Sequence, residues 1–133
     1  MSKSAIYTSM TTPTDVAVNG TIPLGTTIRR FGCNITQDGN SVTISGRGYF
    51  KVSASITLAP TATTATTVTL LKDGVPVSGA TATVTVSTAN NEVALPIEAI
   101  VRNRCDCDSS ILSLQLTDTA ASVTNVGFVV DKL

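Results

Sequence analysis

The residues best suited to chemistry are three cysteines and the four arginines beside them. Residues 102–108 read Arg-Asn-Arg-Cys-Asp-Cys-Asp, and Cys33 follows Arg29 and Arg30 in an upstream segment. Thiolates are nucleophiles and metal ligands, and guanidinium groups bind carboxylates and phosphates through paired hydrogen bonds. A metal centre, a disulfide bond and an anion site are therefore the chemistries that these residues offer.

Three interpretations of the cysteines are open. A tetrahedral metal site needs about four ligands, and Cys33, Cys105 and Cys107 would supply three, with Asp106 or Asp108 as the fourth. Because Cys-x-Cys spacing differs from that of ordinary zinc knuckles, we expect no bound metal and no other cofactor. A disulfide bond from Cys33 to Cys105 or Cys107 would form in an oxidising medium. We favour the third interpretation, thiols that pack in or near a loop.

The arginines form a candidate docking patch for an anion or an acidic partner. Its members flank the cysteines in both segments: Arg29, Arg30, Arg102 and Arg104. The alternative, which we favour, is that they form ion pairs with Asp106, Asp108 and a neighbour's carboxylates. Each such pair stabilises the protein little where it is exposed.

Catalytic residues are scarce in this chain. It contains no His, so Ser–His and Cys–His nucleophile pairs cannot form and the commonest general base near neutral pH is missing. The carboxylates that remain lie mostly in expected turns. We therefore expect that the protein is not an enzyme.

The overall composition bears on the class of partner. Nine basic and nine acidic residues give zero formal charge, with 42% hydrophobic and 14% charged residues. This balance lacks the positive surface of a nucleic-acid binder and reduces the repulsion between copies of the chain. The Met-Ser-Lys-Ser start precedes no signal core, and no run is long enough to span a bilayer. We expect synthesis in a cytoplasm, self-association, and no nucleic-acid or membrane partner.

Apolar and polar residues alternate along most of the chain, which is typical of β-strands. The longest example is 50–58, in which every second residue from Phe50 to Leu58 is apolar. The same period recurs in 80–86, 93–101, 112–116 and 126–130. Pro96 cannot donate to a sheet ladder and predicts an edge strand or a bulge.

Turn residues separate these segments. Asp38-Gly39 and Asp73-Gly74 predict hairpins, and Asn19-Gly20 and Asn90-Asn91 predict further turns. Together the patterns predict an all-β sandwich or jelly roll of eight to ten short strands. We predict an N-terminal arm or first edge strand over residues 1–14 and a single jelly-roll domain over 15–133.

Several motifs resemble the tumour necrosis factor and complement globular-head superfamily. Its central strand is resembled by a glycine, two aromatics and a long alternating strand, in the order Phe31-Gly32-Cys33, Val42-Thr43-Ile44 and residues 48–52. Residues 125–130 resemble its closing strand. The sequence resembles short bacteriophage virion proteins of this fold more closely. This resemblance is found in residues 18–23 and 29–33, in Leu71-Lys72-Asp73-Gly74 and in the late cysteine cluster.

The resemblance implies an antiparallel jelly roll of about ten strands in two five-stranded sheets, assembled as a homotrimer around a threefold axis. It also implies that the two arginine segments lie on neighbouring strands. The sequence gives a supporting reason for assembly, because Val129 and Leu133 add apolar side chains to the face of the last strand opposite that of residues 126–130 at even positions. A strand that is apolar on both faces must be covered twice.

The leading hypothesis is a non-enzymatic structural protein of the phage virion, synthesised in the host cytoplasm. It would be a homotrimeric capsid decoration or head-fibre protein on the particle exterior, in contact with the major capsid protein or another virion component. The alternative is the trimeric receptor- or carbohydrate-binding knob of a phage fibre, with a host surface glycan as ligand. A spore-surface glycoprotein head is a third alternative, but no collagen-like repeat is present.

Overall fold

A computed structural model describes residues 3–133, which form eleven β-strands. In chain order the strands are β1 Ala5–Met10, β2 Thr14–Val16, β3 Thr26–Phe31, β4 Ile35–Asp38, β5 Ser41–Ser45, β6 Gly48–Pro60, β7 Thr66–Lys72, β8 Val75–Val84, β9 Val93–Asn103, β10 Ser109–Thr117 and β11 Ala121–Lys132. The described part of the chain contains no helix with the length and hydropathy of a membrane span.

The strands form two antiparallel sheets that pack face to face. The six-stranded sheet has the order β3-β1-β11-β6-β9, with β2 also paired to β11, and the five-stranded sheet has the order β4-β5-β10-β7-β8. The all-β, two-sheet prediction is therefore confirmed. The division into two sheets of five strands is wrong by one strand, because the three-residue β2 pairs with the start of β11.

The core lies between the two sheets and is built by the predicted alternation. Phe50 and Phe128 are its largest fully buried side chains, and the alternate residues of β6, β10 and β11 are buried with them. Fully burying one such side chain stabilises the fold by about 1.5–3 kcal/mol. Pro96 marks an edge strand, as predicted, because β9 ends the six-stranded sheet and pairs with β6 without a register shift.

The N-terminal segment differs from its prediction as an arm or edge strand. β1 lies inside the six-stranded sheet, paired with β11 on one side and β3 on the other. Ile6, Thr8 and Met10 all face the core. The sequence pattern of this segment suggested a polar arm because Thr8 occupies a buried position where an apolar residue is expected. Residues 1 and 2 belong to the same prediction but lie outside the described residues.

The turns follow the predicted chemistry. Asp73 and Gly74 both have positive φ, 54° and 81°, as a two-residue hairpin of the type I′ family requires. Asn19, Gly39 and Asn90 also have positive φ, which asparagine and glycine tolerate better than other residues. Each hairpin turn fixes the pairing register of the two strands that it connects, and the registers decide which surface residues are neighbours.

Candidate functional site

The side of the six-stranded sheet that faces away from the core, here called the open face, carries an apolar pair among small and charged residues. Tyr7 and Val129 are directly paired there and are 40% and 36% exposed. The neighbouring positions Ser53, Ser55 and Gly127 are small. Together these residues border a shallow depression of about 390 Å³. The open face can therefore receive a protruding apolar group.

One row of residues on the open face crosses the whole sheet and has opposite charges at its two ends. The registers between successive strands align Arg29, Tyr7, Val129, Ser53 and Glu98. Arg29 lies on the edge strand β3 and Glu98 on the edge strand β9. Four inter-strand spacings of about 4.8 Å separate them, about 19 Å in all. The two ends of this row thus differ in charge, although Arg102 adds positive charge further along the same β9 edge.

A second apolar surface adjoins the open face, along the edge of the sandwich where β8 approaches β9. Val75 and Ile100 are 64% and 59% exposed, and they line a depression of about 520 Å³ with Pro76 and Val77. Three basic side chains, Lys72, Arg102 and Arg104, border the same depression. This surface is here called the apolar edge.

The four arginines predicted to form one docking patch are divided between two places. Arg29 and Arg30 lie on β3, whereas Arg102 is on β9 and Arg104 directly follows it, at the opposite edge of the six-stranded sheet. The expectation of neighbouring strands is therefore wrong. Arg30 Nε donates to the Ile35 carbonyl at 2.7 Å, and the Arg102 guanidinium lies 5.5 Å from the Tyr49 ring centroid.

The carboxylates expected to pair with arginines accept hydrogen bonds from the backbone. Asp108 Oδ2 accepts from the amides of Arg104 and Cys105 at 2.9 and 3.2 Å. Asp106 Oδ1 accepts from the amide of Arg47 at 3.4 Å. The Asp108 bonds shape the turn between β9 and β10, and the Asp106 bond joins that turn to the residue before β6.

The cysteines also differ from their predicted pairing. Cys105 is bonded to Cys107 across a Cα–Cα distance of 5.3 Å, and Cys33 is an exposed thiol. Cys33 follows β3, at the opposite edge of the six-stranded sheet from β9, which leads to Cys105. The bond from Cys33 to Cys105 or Cys107 is therefore corrected to one within the β9–β10 turn, a region that Asp108 already folds back on itself.

The positions of the cysteines also bear on the alternative that they bind a metal ion. The sulfurs of Cys105 and Cys107 and a carboxylate oxygen of Asp108 lie within 4.8 Å of one another. Cys33 is not part of this group, so the three cysteines are not gathered as that alternative required. The two gathered sulfurs are bonded to each other, whereas a metal ligand must be a thiolate.

A basic cleft lies at one end of the six-stranded sheet, where β6 begins and β9 and β11 end. Its volume is about 480 Å³, and its principal side chains are Lys3, Arg47, Tyr49, Arg102 and Lys132. The register places Tyr49 opposite Arg102, and Leu133 N donates to the Tyr49 carbonyl at 2.9 Å. The cleft is therefore formed by the backbone pairing itself.

Sequence reasoning missed three of these basic residues. Lys3, Arg47 and Lys132 are far apart in the chain, and none lies in a spacing pattern that indicates a site. The one available signal is that Arg47 and Lys132 flank predicted strands, which places both at strand ends. Which strand ends meet depends on sheet order, and the sequence pattern does not determine that order.

Comparison with known proteins identifies the fold. The sequence matches no protein-family model and no curated protein. Murine APRIL at pH 5.0 is similar with a TM-score of 0.71 at 13% identity, over 99% of this chain and 100% of that one. The globular domain of zebrafish complement 1qA protein gives 0.68 at 7% identity, over 97% and 94%.

A phage protein is similar over an equal span. The vertex protein P5 of PRD1 has a TM-score of 0.62 at 14% identity, over 97% of this chain and 95% of that one. At these identities the similarity establishes the fold. The chain has the antiparallel jelly-roll fold shared by the tumour necrosis factor family, complement globular heads and this phage vertex protein.

Proposed function

We propose that the chain is a non-enzymatic structural protein of the phage virion, which assembles as a homotrimer through its open face. The observation that carries the proposal is the exposed Tyr7–Val129 pair at the centre of that face. β11 buries Phe128 in the core and presents Val129 on the other side. A strand with apolar groups on both sides gains stability when a second surface covers it.

Two different surfaces suit a contact between copies of the chain. The open face offers a depression bordered by Tyr7 and Val129, and the apolar edge offers the exposed side chains of Val75 and Ile100. When such unlike surfaces of identical copies pack together, the contact is head-to-tail and closes into a ring if the rotation allows it. A ring of three is the assembly that the tumour necrosis factor-like resemblance implies.

The charges at the edges of the open face support the same arrangement. In a head-to-tail ring, the β3 edge of one copy approaches the β9 edge of the next. Arg29 of one copy then approaches Glu98 of the neighbouring copy. Complementary charges across an interface fix its register and suppress wrong pairings. We therefore assign Arg29 and Glu98 to the rim of the contact.

A location on the virion is supported by two likenesses. The fold is similar to that of the PRD1 vertex protein P5, and residues 18–23 and 29–33 resemble short phage virion proteins. The chain would decorate the capsid or form a head fibre on the particle exterior, with the major capsid protein or another virion component as its partner. The absence of His removes the commonest catalytic base.

Particles provide the direct test of location. Phage particles from an infected culture would be purified by density gradient, digested for mass spectrometry and labelled with an antibody against the chain for electron microscopy. We expect peptides of the chain at constant stoichiometry and label at regular positions on the outer surface. Particles that lack these peptides, while the lysate supernatant contains the chain, would rule out a virion role.

A further inference from the structure

The basic cleft holds an unusual share of the protein's positive charge. Six of the nine Lys and Arg residues line it or the adjoining depression of the apolar edge: Lys3, Arg47, Lys72, Arg102, Arg104 and Lys132. Arg102 borders both depressions. Since the formal net charge of the chain is zero, this concentration creates a local positive field that the protein as a whole lacks.

Two acidic side chains line the same surfaces as these six basic ones. Asp106 is the acidic side chain that lines the cleft, and Asp73 lines the adjoining depression. Asp106 accepts a bond from the Arg47 amide, and Asp73 accepts one from the Ile111 amide at 2.9 Å.

An aromatic ring lies beside these cations. Tyr49 is 50% exposed, and the Arg102 guanidinium lies over its ring. A half-exposed aromatic ring next to a guanidinium group suits a ligand that has both a compact ring and an anionic group, because the ligand's ring packs on apolar surface while its anion receives charge-assisted hydrogen bonds. The volume of about 480 Å³ is within the usual range of small-ligand sites.

We propose that the basic cleft binds an anionic saccharide, a sugar ring that carries a carboxylate or a sulfate group. Arg47, Arg102 and Lys132 bind the anion, and Tyr49 packs against the ring. This site goes beyond the structural role proposed above and requires that the cleft stay open in the assembly. Each chain carries its own complete cleft.

An extended acidic peptide fits this surface less well. Such a peptide binds an exposed sheet edge by forming backbone hydrogen bonds with it. At the β9 edge the carbonyl of Arg102 already accepts a bond from Lys72 Nζ at 2.7 Å, and Pro96 has no amide hydrogen to donate. A compact ligand in the cleft needs neither group.

The test is an NMR titration of the assembled, ¹⁵N-labelled protein. The probes are glucuronic acid, glucose 6-sulfate and neutral glucose, with a Glu-Asp-Glu peptide and adenosine monophosphate as competing ligand classes. We expect shifts at the amides of Arg47, Gly48, Tyr49 and Arg102 with both anionic sugars, dissociation constants of about 1 mM, and no shifts with glucose. The two anionic sugars separate a carboxylate preference from a sulfate preference.

Matched variants test the assignment of residues. Arg102→Gln should weaken binding of the anionic sugars about tenfold. Arg30→Gln removes the same charge at the opposite edge of the sheet and should leave binding unchanged. Equal weakening by the two variants would reduce the effect to general electrostatics and overturn the proposal.

Three further outcomes would overturn it. The first is an absence of shifts with both anionic sugars. The second is tighter binding of the peptide or of adenosine monophosphate, which would assign the cleft to another class of ligand. The third is binding by a dissociated Tyr7→Glu variant alone, which would place the cleft beneath a neighbouring copy. None of these results bears on the virion role, so the two proposals fail separately.

Discussion

Tyr7 lies directly opposite Val129 in the β1–β11 ladder, on the side of the six-stranded sheet that faces away from the core. The residues that precede and follow each of them in its strand, Ile6 with Thr8 and Phe128 with Val130, are buried between the sheets. The same two strands therefore contribute to the core and to the open face. This double role connects the fold to its proposed assembly.

Tyr7→Glu should dissociate the assembly. The substitution places a charge where the proposal buries an aromatic ring, and burying an unpaired charge is costly. We expect association to weaken at least about 100-fold, measured by sedimentation velocity. Ile111→Glu is the matched control, because Ile111 is 49% exposed and lies on the five-stranded sheet. Equal dissociation of both variants would mean that the open face has no special part in assembly.

Reversing the charges at the rim should reveal the head-to-tail contact. Arg29→Glu and Glu98→Arg should each weaken association, by about 1 kcal/mol or less because the pair is at the solvent-exposed rim. The double variant should recover most of the loss, since the attraction is restored with reversed sign. Sedimentation equilibrium at low and high salt would measure the three effects. Losses that simply add would show that the two residues do not meet.

Thiol labelling should separate the three cysteines. Under denaturing, non-reducing conditions we expect iodoacetamide to modify one cysteine per chain, Cys33, and none in the Cys33→Ser variant. Peptide mass spectrometry should find Cys105 and Cys107 joined within one peptide. Cys33 was one partner in the predicted bond, so a cross-linked pair of peptides that includes Cys33 would restore that prediction and refute the bond within the turn.

Two threonines provide a stability test of the core. Thr8 and Thr66 have buried hydroxyls without a hydrogen-bond partner. Thr8→Val removes one of these groups with little change in shape, so the free energy of unfolding should stay the same or rise by up to about 1 kcal/mol. Urea unfolding at fixed protein concentration is the measurement, because association contributes to apparent stability. A clear loss of stability would show that a buried water satisfies the Thr8 hydroxyl.

Thr119→Val is the control for that comparison. Thr119 Oγ1 donates to the Ala65 carbonyl at 2.7 Å and lies 2.7 Å from Thr64 Oγ1. Removing this hydroxyl leaves its partners unsatisfied, and the free energy of unfolding should fall by about 1 kcal/mol. The two substitutions are chemically identical, so opposite signs would isolate the effect of hydrogen bonding.

Local patterns predicted most of the fold. The alternation from Phe50 to Leu58 identified β6 because a strand with one buried face must repeat every second residue. Asp73-Gly74 located the β7–β8 hairpin because both residues tolerate positive φ. Thr8 is the informative exception in β1. Its buried hydroxyl breaks the expected alternation, and the segment reads as an arm although it is an interior strand.

The candidate sites depended on strand order, which is not a local property. Arg30 and Arg102 lie at opposite edges of one sheet, although both belong to basic segments. Arg47 and Lys132 meet in one cleft although no sequence spacing connects them. Pairing of distant strands is decided by the packing of the whole core, and a one-residue change of register reverses the face of every side chain. Residue types therefore indicated the chemistry but not its location.

The mass of the native assembly tests the central claim most directly. Native mass spectrometry of the wild-type protein at micromolar concentration should give a species of three times the 13.7 kDa chain mass. The Tyr7→Glu variant should give the mass of a single chain. A wild-type protein that remains a single chain at that concentration, with a circular dichroism spectrum of β-structure, would contradict assembly through the open face.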